Sequence, residues 1–126
     1  MKKEDSVATS IVDTAYHIHN NLGPGLLESV YERVLAYELR KRGHTLETQV
    51  AVPLFYDGHT IDEAFKADMI IDDCVIVELK SLETLQLVHS KQLLTYLRLA
   101  NKKLGLLINF GAPLIKQGIQ RVANGL

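Results

Sequence analysis

The chain has 126 residues, 47% of them hydrophobic, with five histidines, one cysteine and a formal net charge of −1. That is apolar material for one domain, 1–126, with its own core, and no segment approaches the ~20 apolar residues that span a bilayer. A lone Cys74 excludes an internal disulfide and a cysteine zinc site, and the near-neutral charge excludes tight nonspecific duplex binding by phosphate neutralisation alone.

Asp5 or Ser6 can cap a first helix whose apolar stripe runs Val7, Ile11, Ala15, Ile18 and ends near Asn20-Asn21. Leu22-Gly23-Pro24-Gly25 then breaks the chain as an elbow. The spacing predicts a second helix over about 26 to 42, carrying Leu27, Val30, Val34 and Leu35 inward and stopped by Gly43. Glu28 shares a flank with Tyr31 and Leu35, at i+3 and i+7, so its carboxylate is drawn toward the core boundary. A first-turn acid satisfying the helix dipole explains the same residue.

Strands are expected at about 45 to 55 and 60 to 71, joined through Tyr56-Asp57-Gly58-His59, whose Asp-Gly step is a strong turn signal. A third strand carries Glu78. A helix over about 84 to 101 presents Leu93, Leu97 and Ala100 to the core and sets His89, Gln92 and Tyr96 on an adjacent stripe. Residues 104 to 110 read as a buried strand ended by Gly111-Ala112-Pro113, and 116 to 122 as an edge strand or a short helix.

The chemistry concentrates in Lys66-Ala67-Asp68-Met69-Ile70-Ile71, a polar Asp72-Asp73 pair, and Cys74-Val75-Ile76-Val77-Glu78-Leu79-Lys80. Charges set among β-branched core formers need a partner, because desolvating an ion costs several kcal/mol. Alternation puts Ile76, Glu78 and Lys80 on one face of their strand and Val75, Val77 and Leu79 on the other. On the preceding strand it puts Asp68 with Lys66 and Ile70, and points Phe65, Ala67, Met69 and Ile71 away. A three-residue connection through Asp72, Asp73 and Cys74, or a bulge, pairs Ile70 with Ile76 and Asp68 with Glu78; a two-residue turn would not. Opposed carboxylates about 5 Å apart repel, and a hard cation reverses the sign. Two carboxylates with a backbone carbonyl suit Mg²⁺, with Mn²⁺ as a second candidate. An exposed Glu78–Lys80 pair with Asp68 capping a turn is the bland reading of the same spacing.

Gly25-Leu26-Leu27-Glu28-Ser29-Val30-Tyr31, Asp68, Glu78-Leu79-Lys80 and Gln92-Leu93-Leu94-Thr95-Tyr96 together resemble the GxxExxY proteins, a family of the PD-(D/E)XK nuclease-like superfamily. The likeness runs from about 13 to 122, with Ala67 where the superfamily's name has proline. It implies an α+β fold: a restriction-endonuclease-like α-β-β-β-α-β core, its mixed sheet flanked by helices, with an extra N-terminal helix and a C-terminal edge strand. It implies Mg²⁺ held by Asp68, Glu78 and the Leu79 carbonyl, with Glu28 completing or flanking the site. By the same resemblance Lys80 orients the attacking water and steadies the phosphate, and Gln92 and Tyr96 position the site or the nucleic acid.

The expected function is metal-dependent phosphodiester hydrolysis of nucleic acid, DNA ahead of RNA. The alternative is a non-catalytic interaction module on the same fold; an enzyme acting on a small nucleotide is a third reading. A homodimer is an analogy with nucleases that cut two strands, and the absence of an apolar signal core makes a cytoplasmic location the default expectation. Arg40-Lys41-Arg42 and Lys91, Arg98, Lys102 and Lys103 are candidate phosphate contacts, although cations at helix ends satisfy the dipole without any ligand. No two histidines show the helical i, i+4 spacing of a zinc site; His89 alone falls near the proposed centre. Cys74 reads as a buried structural thiol.

Overall fold

A computed structural model describes residues 2–126. Helices α1 (Lys3–Leu22) and α2 (Glu28–Lys41) precede strands β1 (Leu46–Tyr56), β2 (His59–Ile71) and β3 (Val75–Lys80). Helix α3 (Leu87–Ala100), strand β4 (Leu104–Asn109), a 3₁₀ turn at Ile115–Gly118 and strand β5 (Ile119–Ala123) complete the chain. The strands lie in sequence order in one sheet, β1-β2-β3-β4-β5. Only β3 and β4 run parallel, because α3 crosses over between them; the other pairs are antiparallel. This is the mixed α+β architecture the resemblance implied, and the tail forms the expected edge strand.

One core joins α1 and α2 to the sheet through Ile11, Ala15, Ile18, Tyr31, Leu35 and Leu39, against Met69, Ile71, Val75, Val77 and Leu79. The other packs α3 on the opposite face, with Leu93 and Leu97 against Val52, Phe65, Ala67, Ile76 and Leu107. The strict alternation of β3 between these cores is the pattern its sequence carries. Gly105 allows the close approach of α3, since a Cβ there would lie 3.0 Å from the Leu93 side chain.

Several elements are displaced from their expected places. Helix α1 begins at Lys3 with no side-chain cap; Asp5 lies within its first turn and pairs with Arg121 at 2.6 Å, while the Val7–Ile18 stripe is buried as expected. Leu27 is the N-cap of α2 and is 73% exposed, and Val30 is also exposed. Leu35 is buried as expected and Val34 is half-buried, but the rest of the buried face is Tyr31, Ala36 and Leu39. Both sets have helical spacing, and the tertiary contacts of Tyr31 select the second: its ring stacks on Phe110 at 4.5 Å, and its hydroxyl donates to the Gly23 carbonyl at 2.5 Å and accepts from the Leu26 N–H at 3.2 Å. Helix α3 starts at Leu87 because Gln86 and His89 form a capping box, the His89 Nδ1 accepting the Gln86 N–H at 3.0 Å.

The turn between β2 and β3 has the expected three residues, pairing Ile71 with Val75, Ile70 with Ile76 and Met69 with Val77. Asp72 and Asp73 both adopt positive φ, at 49° and 55°. Cys74 lies in this turn and not in a strand, and it is only half-buried; burial pushes its thiol pKa up. The Asp72 carboxylate accepts from His44 Nδ1 at 2.6 Å and from the Thr45 N–H at 2.9 Å, and His44 Nε2 meets Ser10 Oγ at 2.7 Å. That order of groups is also found in acyl-transfer triads. Here Ser10 sits mid-helix, where the backbone N–H groups are spent on the helix ladder, so the chain of bonds ties α1 to the turn and offers no oxyanion hole.

Candidate active site

The face assignment expected for β2 fails at one point, and that failure builds the site. Phe65 and Ala67 pack with Ile76 on the α3 side, whereas Met69 and Ile71 pack on the α1–α2 side. The alternation therefore inverts between Ala67 and Met69. Opposite this point the β1–β2 register passes from Thr48↔Met69 to Val50↔Ala67, skipping Gln49, whose φ is 52°. Irregularities of this kind re-aim a side chain out of the regular pleat.

The re-aimed residue is Asp68. The paired part of β2 and β3 ends at Met69↔Val77, so the expected backbone pairing of Asp68 with Glu78 is replaced by side-chain bonds. Asp68 Oδ2 accepts the Leu79 N–H at 2.8 Å, and the Asp68 N–H donates to Glu78 Oε2 at 3.3 Å. A strand residue's N–H and C=O point to the same edge, so the Leu79 carbonyl also faces the gap that β2 leaves. The Leu79 side chain lies in the opposite core.

Glu78 is only 8% exposed, and its Oε1 has no hydrogen-bond partner among the described residues. Burial, and then the neighbouring Asp68 carboxylate, push its pKa up to about 9. A buried acid with an unpartnered oxygen beside a second acid is a poor structural element and a good cation ligand. The donor set is all oxygen, which fits a hard divalent ion of the kind this site would take.

The site residues expected from sequence all line one pocket of about 200 Å³, apart from Leu79: Glu28, Asp68, Glu78, Lys80, Gln92 and Tyr96. Glu28 enters from the first turn of α2 and is exposed. Asp68 and Glu78 are the two acids in direct hydrogen-bond contact through the β2 backbone; no group of three His, Cys, Asp or Glu placed to hold a metal occurs among the described residues. Gln92 and Tyr96 descend from α3. The Tyr96 ring stacks on Phe65 at 3.8 Å between centroids, and burial, followed by the Glu78 and Asp68 charges, raises its pKa and keeps it a phenol. His89 also lines the pocket, with its Nδ1 engaged in the α3 cap.

Sequence reasoning missed four contributors. Lys66 lines the pocket and adds a second cation, where its sequence context marks it only as a neighbour of Asp68. Gln49 Nε2 donates to Glu32 at 2.7 Å and lies 3.5 Å from Asp68 Oδ1, but nothing in a strand pattern marks a residue that will adopt positive φ. Ser81 Oγ donates to the Leu26 carbonyl at 2.6 Å, holding the elbow before Glu28 against the end of β3. Asn109 is buried and binds Leu82 twice, at 2.8 and 2.9 Å, fixing the chain beyond Lys80. A polar residue closing an apolar strand was the available signal for Asn109. The basic clusters stay apart from the pocket: Arg42 pairs with Glu38, and Lys102 with Asp73.

A family model described as the PD-(D/E)XK nuclease superfamily matches residues 5–122. Comparison with curated proteins and with solved structures gave no match. No helix among the described residues is long and apolar enough to cross a membrane. With an acid re-aimed from β2, a second acid and a lysine on β3, and a family match covering nearly its whole length, the chain belongs to the PD-(D/E)XK nuclease superfamily.

Proposed function

We propose that this pocket hydrolyses phosphodiester bonds in nucleic acid, DNA ahead of RNA, with Mg²⁺ as its resident ion and Mn²⁺ as a substitute. The observation that carries the reading is the Glu78 carboxyl, buried with one oxygen unpartnered beside Asp68. Asp68, Glu78 and the Leu79 carbonyl would hold the ion, and Glu28 would flank it. Such an ion supplies positive charge against the developing phosphorane and lowers the pKa of water bound to it.

The remaining roles belong to the chain itself. Lys80, one pleat beyond Glu78, presents an ammonium to the phosphate and orients the attacking water. Lys66 adds a second positive charge at the mouth. Gln92 and the protonated Tyr96 are neutral donors on α3, suited to fixing the phosphate oxygens without competing for the cation. The motif from Gly25 to Tyr31 supports reading the chain as one of the GxxExxY proteins, and the Tyr31 hydroxyl that closes the elbow gives that spacing a physical reason.

The absence of a three-acid group among the described residues favours a second reading, a nucleic-acid or protein interaction module that keeps the fold without turnover. Labelled single-stranded, duplex and branched nucleic acids incubated with Mg²⁺ or Mn²⁺ decide between them, beside Glu78→Ala and Lys80→Ala and with metal binding followed by calorimetry. Cleavage lost in both variants, with the ion still bound in Lys80→Ala, is the expected result. Metal binding without cleavage of any substrate selects the module, and cleavage surviving both substitutions is contamination.

A further inference from the structure

A second groove, about 560 Å³, lies between α2 and the start of β1 and plays no part in the chemistry above; Arg33, Tyr37, Arg40, Lys41 and Thr48 line it, with Glu32 at its inner end. Its three cations make no ion pair among the described residues, in contrast to Arg42 next to them, which is paired with Glu38. Tyr37 is 63% exposed, and the Lys41 ammonium lies 5.9 Å from its ring centroid. Glu32 keeps its negative charge at that end of the groove, but it forms no ion pair with the three cations; its carboxylate accepts a hydrogen bond from the neutral Gln49 amide.

Gln49 links Glu32 of the groove to Asp68 of the catalytic pocket by hydrogen bonds. Its side-chain amide touches Glu32 at 2.7 Å and lies 3.5 Å from the Asp68 carboxylate. Along α2, Glu28 at the pocket and Arg40 at the far end of the groove are twelve residues apart, which is about 18 Å of helix. A strand leaving the pocket along α2 passes Glu32 and then meets Arg33, the exposed Tyr37 ring, Arg40 and Lys41.

We propose that this groove carries the single-stranded nucleic acid on one side of the bond that is cut, with Arg33, Arg40 and Lys41 on its phosphates and Tyr37 under a base. Surfaces that hold single strands combine a basic track with aromatic platforms, and they need fewer charges than a duplex footprint. That suits a chain whose net charge is −1. The assignment rests on the nuclease reading and names the form of substrate it takes.

The test is fluorescence anisotropy with a labelled 20-nucleotide poly-dT strand in EDTA, against the same strand paired with poly-dA. Wild type, Arg33→Glu/Arg40→Glu, Tyr37→Ala and Tyr37→Phe are compared, each checked for an unchanged melting temperature. The single strand is expected to bind better than the duplex. Charge reversal should weaken it more than tenfold and flatten the salt dependence by about 0.7 in log–log slope per lost contact. Tyr37→Ala should cost about five- to tenfold and Tyr37→Phe little, the signature of stacking.

Binding unchanged by charge reversal, or no binding by the wild type, overturns the proposal, and so does a preference for duplex. Loss of a concentration-dependent dimer in these variants, without any loss of poly-dT binding, assigns the groove to a second copy and overturns it as well. Cleavage of the same strand in Mg²⁺ separates the two readings. Cleavage with an unaltered KM in the groove variants removes the groove and leaves the catalytic reading. Groove-dependent binding without cleavage in Mg²⁺ or Mn²⁺ removes the catalysis and leaves the groove.

Discussion

Asp68 and Leu79 are joined by a side-chain-to-backbone bond of 2.8 Å where the sheet would otherwise place one between two backbones. The carboxylate stands in for a β2 carbonyl at the point where β2 leaves β3, so one residue both satisfies the exposed strand edge and presents an acid to Glu78. Its structural and chemical duties can be separated by substitution.

Asp68→Ala leaves the buried Leu79 N–H without an acceptor, and a destabilisation of about 1–3 kcal/mol in urea unfolding is expected. Asp68→Asn keeps an oxygen acceptor for that N–H and should cost clearly less, while still losing metal binding by calorimetry. Equal losses from the two variants would show that the carboxylate charge, and not the bond to Leu79, stabilises the fold.

The stability of the metal-free protein should fall as the pH rises. Glu78 has an ordinary value of 4.5 and is pushed to about 9 in the folded chain, so across that interval the folded state holds a proton the unfolded state has lost. Stability is full below about pH 4.5 and declines toward pH 9, at no more than about 1.4 kcal/mol per pH unit. Glu78→Gln should remove this decline. Added Mg²⁺ should raise the melting temperature more at pH 8.5 than at pH 5.5, because the ion favours the ionised carboxylate. A melting temperature that rises from pH 5.5 to 8.5 without metal would contradict the assignment.

Tyr31→Phe keeps the stack on Phe110 but removes the hydroxyl that bonds Gly23 and Leu26. We expect a loss of about 1–2 kcal/mol. Hydrogen exchange should quicken at residues 23–28, and the effect on catalysis should resemble that of Glu28→Ala, since the elbow sets where Glu28 enters the pocket. Unaltered exchange there would assign Tyr31 to core packing alone.

Asn109→Leu removes an amide that bonds both the N–H and the carbonyl of Leu82 and also accepts the Gly111 N–H at 3.1 Å. Stranding those half-buried groups should cost about 1–3 kcal/mol. Gly111 admits no replacement at the same crossing, since a Cβ there would fall 2.3 Å from the Leu82 carbonyl oxygen. Chemical denaturation of Asn109→Leu and Gly111→Ala checks both, and a change below about 0.5 kcal/mol in either would show that the loop is not held there.

The primary structure determined the elements, the three-residue turn and the Ile70–Ile76 register, because hydrophobic period and turn chemistry are local. It also determined which residues carry chemistry: acids and a lysine among β-branched neighbours stand out wherever they end up. It pointed to the wrong inward stripe on α2 at Leu27 and Val30, since the expected Leu27/Val30/Val34/Leu35 set and the observed Tyr31/Leu35/Leu39 set are equally helical. Only the Tyr31–Phe110 stack and the elbow decided between them. Nor did it reveal the inversion at Gln49 and Asp68, because a positive φ in a strand is imposed by partners distant in sequence, here Leu79, Glu78 and Glu32. The convergence of Asp68 and Glu78 was legible as a pattern, whereas the break in the sheet that lets them converge arises only when the strands pack.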